Sequence, residues 1–218
     1  MDQFSRDVDL LRVEASLFDD VNHFPWQLLR AGSGATLTGT TLAAIGANFI
    51  SGGVQPGHVI VLDNGTSSRP YEVVEVTSAS YLEISVVRAN DQQPKLAPGD
   101  GTGLDFRIAT FDPQAWEVLV ELTQHFDLRP GQPDSEYGFE EILEPSVLRQ
   151  ASVYGVLARI FAVWGSREGD GDAMWKKSIH YRGLYDKARL RCRLGLDLGD
   201  DGFGDMERRG GIIRLRRE

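Results

Sequence analysis

Two hydrophobic periods divide this chain, and no single type of secondary structure satisfies both. Towards either end the apolar residues recur every three or four positions, as one face of a helix requires. From Ala35 to about Phe111 that rhythm gives way to alternation, the pattern of strands with one buried face. His58-Val59-Ile60-Val61-Leu62 reads as a short buried strand, residues 71–76 and 81–87 as two more, and residues 103–108 as the last. Turn chemistry separates them. Pro56-Gly57 precedes the first strand, Asp63-Asn64-Gly65 follows it, and Thr77-Ser78-Ala79-Ser80 joins the middle pair. Several short strands within roughly 75 residues fit a small closed barrel or a compact sandwich.

Helices are expected on both sides of this stretch. Residues 5–18 carry Leu10, Leu11, Val13, Leu17 and Phe18 at near-helical spacing, and Pro25 ends that pattern. Gly32-Ser33-Gly34 reads as a flexible joint. Asp112-Pro113 is a helix start, with Asp as N-cap and Pro at the first helical position. Residues 129–134 read as a loop. Pro145 opens a helix to about Trp164, and another runs from about Asp172 to Leu194. These last two are expected to pack through Tyr154, Leu157, Phe161, Trp175, Ile179 and Leu184. Residues 195–204 read as mobile, glycine-rich chain, and residues 210–218 as a β-prone arm on a glycine leash. The expected fold is therefore α+β: a helical scaffold of several helices with an inserted small β-barrel or β-sandwich module. Residues 1–33 and 111–218 form the helical domain with its flexible C-terminal arm, and residues 34–110 form the inserted module. A surface connection tolerates such an insertion, because a longer loop adds little closure entropy.

Composition narrows the function classes. A chain of 218 residues with 41 % hydrophobic and 25 % charged residues has material for a packed core, which argues against wholesale disorder. No apolar run approaches the roughly 18 residues of a membrane span, and the start lacks the basic-then-apolar order of a secretory signal. Cys192 is the only cysteine, so an intrachain disulfide and a cysteine zinc cluster are both ruled out. The net charge of −9 is uneven: residues 1–145 carry −14 and residues 146–218 carry +5. Such a split suits a surface that meets a charged partner or another copy of the chain.

Motifs of catalysis are not legible. His23, His58, His125 and His180 are scattered, with no helical pair to hold a metal. Gly99-Asp100-Gly101-Thr102-Gly103 precedes a strand rather than opening a helix, so it reads as a plain loop. Asp200-Asp201-Gly202-Phe203-Gly204-Asp205 lacks the distal acid of an EF-hand and reads as solvated linker. The expectation is a soluble, non-enzymatic protein with no catalytic residues, no cofactor and no metal. Two candidate interfaces remain. Ile212, Ile213, Arg214, Leu215, Arg216 and Arg217 form an arm suited to adding a strand to another chain's sheet. Lys176, Lys177, Arg182, Lys187 and Arg189 decorate the last helix as a candidate subunit interface.

The helical portion resembles the head-to-tail adaptor (connector) proteins of tailed phages. The resemblance lies in residues 146–157, Ser-Val-Leu-Arg-Gln-Ala-Ser-Val-Tyr-Gly-Val-Leu, and 174–182, Met-Trp-Lys-Lys-Ser-Ile-His-Tyr-Arg, with the acidic turn between their helices and the C-terminal arm. Residues 53–60 and 71–76 resemble modules of phage structural proteins. The family implies a homo-oligomeric, dodecameric ring in the virion neck, made in the host cytoplasm. Such a ring binds the portal protein, offers a surface to the next tail or neck component and continues the DNA channel without sequence-specific binding; no membrane is involved. The alternatives are another tail-completion or baseplate structural protein, and a cell-wall hydrolase with a β binding module.

Overall fold

The structure, a computed structural model, describes residues 3–19, 24–128, 138–167 and 172–210. The chain divides into two compact units, Arg6–Phe111 and Asp112–Glu218, the latter joined by Met1–Ser5.

The first unit is a closed antiparallel barrel. Its strands are β1 (Leu28–Thr38), β2 (Thr41–Ala43), β3 (Val59–Asp63), β4 (Ser68–Val76), β5 (Tyr81–Ser85) and β6 (Gly101–Ala109), in the order β1-β2-β5-β4-β3-β6. Closure leaves no open sheet edge. Leu37, Leu42, Phe49, Ile60, Val73, Leu82, Ile84, Phe106 and Ile108 fill the interior. Phe49 and Phe106 meet edge to face with ring centroids 5.7 Å apart. Helix α1 (Asp7–Val13) belongs to this unit and lies against β3. That contact explains why Val59 and Val61 are buried as well as the inward-facing Ile60 and Leu62. Polar contacts fasten the helix: the Val8 N–H donates to the Gly57 carbonyl at 2.9 Å, and Arg12 Nε donates to the Arg88 carbonyl at 2.7 Å. Beneath lies a buried ion pair, Arg88 to Glu72 at 2.8 Å, with Arg12 Nη2 4.0 Å from the same carboxylate.

The second unit holds α2 (Asp112–His125), α3 (Arg149–Arg167), α4 (Asp172–Arg191) and an antiparallel hairpin of β7 (Arg193–Leu196) and β8 (Met206–Arg209). A short 3-10 turn, Pro145–Leu148, leads into α3. Val118, Leu119 and Leu122 of α2 are fully buried, as are Val156, Leu157 and Ile160 of α3. Tyr181 of α4 stacks on Phe161 with centroids 5.7 Å apart. Leu194 and Leu196 bury one face of the hairpin, and Ile142 bridges to Leu196 on its far side. Residues 3–5 also belong here: Ser5 and Ser152 share a buried hydroxyl hydrogen bond of 2.8 Å. Among the described residues no helix is long and apolar enough to cross a membrane.

This architecture corrects the expected helical scaffold with an inserted β module. The first helix is short and part of the barrel unit, and the remaining unit is not purely helical but contains a two-stranded sheet. The barrel begins well before residue 34, because Gly32-Ser33-Gly34 lies inside β1 and is not a joint. The pairing of β1 with β6 shifts register between Gly32 and Ala35, where Gly34 adopts φ +76°. A Cβ on Gly32 would sit 2.8 Å from the Phe106 ring. The glycines mark a bend in a barrel strand and a close approach to a core aromatic. Residues 193–204, expected as the end of a helix and then mobile chain, belong to the β7–β8 hairpin, which runs to Arg209. The loop expected at residues 129–134 lies outside the described residues.

Candidate functional site: a groove on the three-helix unit

Helix α4 is apolar on two sides. Tyr181 and Tyr185 face inward and are buried. Trp175, Ile179, Arg182, Asp186 and Leu190 recur at three- and four-residue steps on another stripe. Trp175, Ile179 and Leu190 are 51 %, 58 % and 53 % exposed, so the expectation that Trp175 and Ile179 belong to the α3–α4 core is wrong. Phe161 and Leu157 are buried as expected, while Tyr154 and Leu184 are half-buried.

Beside this stripe lies a groove of about 430 Å³. Gly155, Ala158 and Ala162 of α3, Trp175 and Ile179 of α4, and the side chains of Arg159, Arg182 and Arg189 line it. Its floor is low because its residues are small. Gly155 cannot be larger: a Cβ there would lie 2.9 Å from Val118 and 3.2 Å from the Tyr185 ring. Ser178 ties the two helices by donating its hydroxyl to the Ala158 carbonyl at 2.8 Å.

One wall is a polar cluster that holds three helices in register. The Glu121 carboxylate of α2 accepts hydrogen bonds from Arg159 of α3 and from the Tyr185 hydroxyl of α4, the latter at 2.9 Å, with Arg189 at 3.6 Å. Burial pushes the Glu121 carboxyl upward, but the Arg159 and Tyr185 hydrogen bonds outweigh it and hold it below the usual range. The Tyr185 phenol is displaced upward, first by burial and then by the Glu121 charge. Both groups therefore keep their ordinary neutral-pH protonation states, a charged Glu121 and a neutral Tyr185.

The structure divides the five basic residues expected at an interface. Arg182 and Arg189 line the groove. Lys176 and Lys187 are exposed on the other side of α4, and Lys177 lies over the Phe161 ring at 4.7 Å. Residues 212–217 of the arm lie outside the described residues. Glu121, Arg159 and Tyr185 were missed, although two apolar stripes on one basic helix were a readable sign of a second face. Elsewhere His58 is buried, its Nδ1 accepting the Gln55 N–H at 3.1 Å, and burial pushes the Cys192 thiol up, away from reactivity. No protein-family model matches the chain, and no curated protein and no solved structure matches it.

Proposed function

We propose that this chain is a structural subunit of a tailed-phage neck, a head-to-tail adaptor whose copies form a ring between portal and tail and continue the DNA channel. The observation that carries the assembly part is the exposed Trp175, Ile179 and Leu190 stripe beside Arg182. A row of large apolar side chains with arginine at its margin has the composition of an interface, where aromatics and Arg are enriched. The neck assignment rests on the resemblance of residues 146–157 and 174–182 to adaptor proteins. On this reading the chain's work is geometric: it matches symmetries and offers docking surfaces.

A second reading, another tail-completion or baseplate protein docking through its barrel, is favoured by the β2–β3 loop. Ile45 and Ile50 on that loop are 84 % and 62 % exposed. Light scattering of the purified chain, alone and mixed with a portal ring, tests the proposal. An adaptor adds mass to the portal in symmetric stoichiometry; a chain that ignores the portal and decorates tail or baseplate particles is the second kind of protein.

A further inference from the structure

We propose that copies of this chain join head to tail, with the acidic tip of one copy's β7–β8 hairpin seating Phe203 in the α3–α4 groove of the next. The inference rests on the assembly reading above and names both halves of the contact.

The tip spans residues 197–205. Phe203 is 74 % exposed, more than any other aromatic side chain among the described residues. Asp197, Asp200, Asp201 and Asp205 surround it, with no Lys or Arg in the same stretch. The tip is already shaped. The Asp197 carboxylate accepts the N–H groups of Gly199, Asp201 and Gly202 at 3.2, 3.2 and 2.6 Å, and Asp205 accepts those of Leu198 and Gly199 at 2.9 and 3.1 Å. A pre-shaped tip loses little conformational freedom on docking. Asp200 and Asp201 stay exposed on the outside of the turn.

The groove is the complement in shape and charge. Its small-residue floor and the exposed Trp175 and Ile179 suit an aromatic ring. Helix α4 carries six Lys or Arg against two Asp. Arg182 is exposed and has no ion-pair partner among the described residues, so it is available to Asp200 or Asp201 of a neighbour. No hairpin residue lines the chain's own groove, so a knob seated there comes from a second copy. Knob and groove are different patches of one unit. The contact is therefore heterologous, and it generates a ring wherever the rotation between copies closes.

The test uses the full chain and two surface variants, Phe203→Ala and Arg182→Glu, checked for folding by circular dichroism and sized by analytical ultracentrifugation. Losing a hot-spot aromatic is expected to weaken self-association about 30-fold or more, with Arg182→Glu acting in the same direction. Mixing the two variants leaves one working contact per pair, so they are expected to form dimers that grow no further. Adding Asp201→Arg to Arg182→Glu is expected to restore assembly. The proposal is overturned if Phe203→Ala assembles like the unaltered chain, or if the unaltered chain stays monomeric at roughly 100 µM, where a standard-sized interface is populated. A Phe203→Ala ring that still binds a portal removes this contact and leaves the adaptor reading. Assembly that depends on Phe203, with no portal binding, does the reverse.

Discussion

Single side chains show where this molecule tolerates charge. Glu72 and Arg88 are buried together, and removing one partner leaves the other without compensation. Arg88→Met is expected to cost about 3 kcal/mol in urea unfolding, and adding Glu72→Leu to it should recover most of the loss. Recovery would show that the pair specifies the site of α1 more than it stabilises the barrel. Glu83 makes a different prediction. The Thr41 hydroxyl, then Lys95 and Thr40, hold its carboxyl down from 4.5 to about 2. A depressed folded-state pKa stabilises the protein above the unfolded value, and that contribution disappears as pH falls from about 4.5 towards 2. The urea midpoint should therefore drop across this window, and Glu83→Gln should flatten that part of the profile. An unchanged profile would mean that the Thr40, Thr41 and Lys95 contacts do not persist in solution.

At the scale of elements, helix α4 is the informative one. Its sequence offers apolar residues to two sides, and packing on α3 uses only one. Phe161 sits in that packing, 2 % exposed and stacked on Tyr181. Phe161→Ala is expected to destabilise the unit by about 3–5 kcal/mol. Trp175→Ala and Ile179→Ala should each change monomer stability by less than about half a kcal/mol, the range of surface sites. The same two substitutions should weaken self-association. A large loss of stability from Trp175→Ala would instead return that residue to the core.

For the whole molecule, the division into Arg6–Phe111 and the remainder replaces the division expected from texture. The difference is testable by dissection. Residues 6–111 alone should fold cooperatively with a β-rich circular dichroism spectrum. Residues 35–110 alone should not, because they lack Leu28 to Gly34 of β1 and the helix that covers β3. A folded 35–110 fragment would restore the insertion view.

Strands β3 to β6 and the three later helices are legible in the residues alone, because their periods are local and strong. Val59-Ile60-Val61-Leu62 is a strand wherever it packs, and Asp112-Pro113 starts a helix whatever follows. Period reports that a face is buried, not what buries it. Strand β1 was invisible because its sequence, Leu-Leu-Arg-Ala-Gly-Ser-Gly-Ala-Thr-Leu-Thr, buries only Ala35 and Leu37 and bends at its glycines. Pairing with β6 along most of its length, and with β2 at its end, makes it a strand. Residues 193–209 became a hairpin for the same reason: Leu194 and Leu196 find a core only in the tertiary structure, and Asp197 and Asp205 organise the turn only once the strands pair. The groove lies wholly on this second side of the ledger. Its basic residues were legible, and their spacing puts Arg182 on one stripe with Trp175 and Ile179; packing on α3 decided that this stripe faces outward.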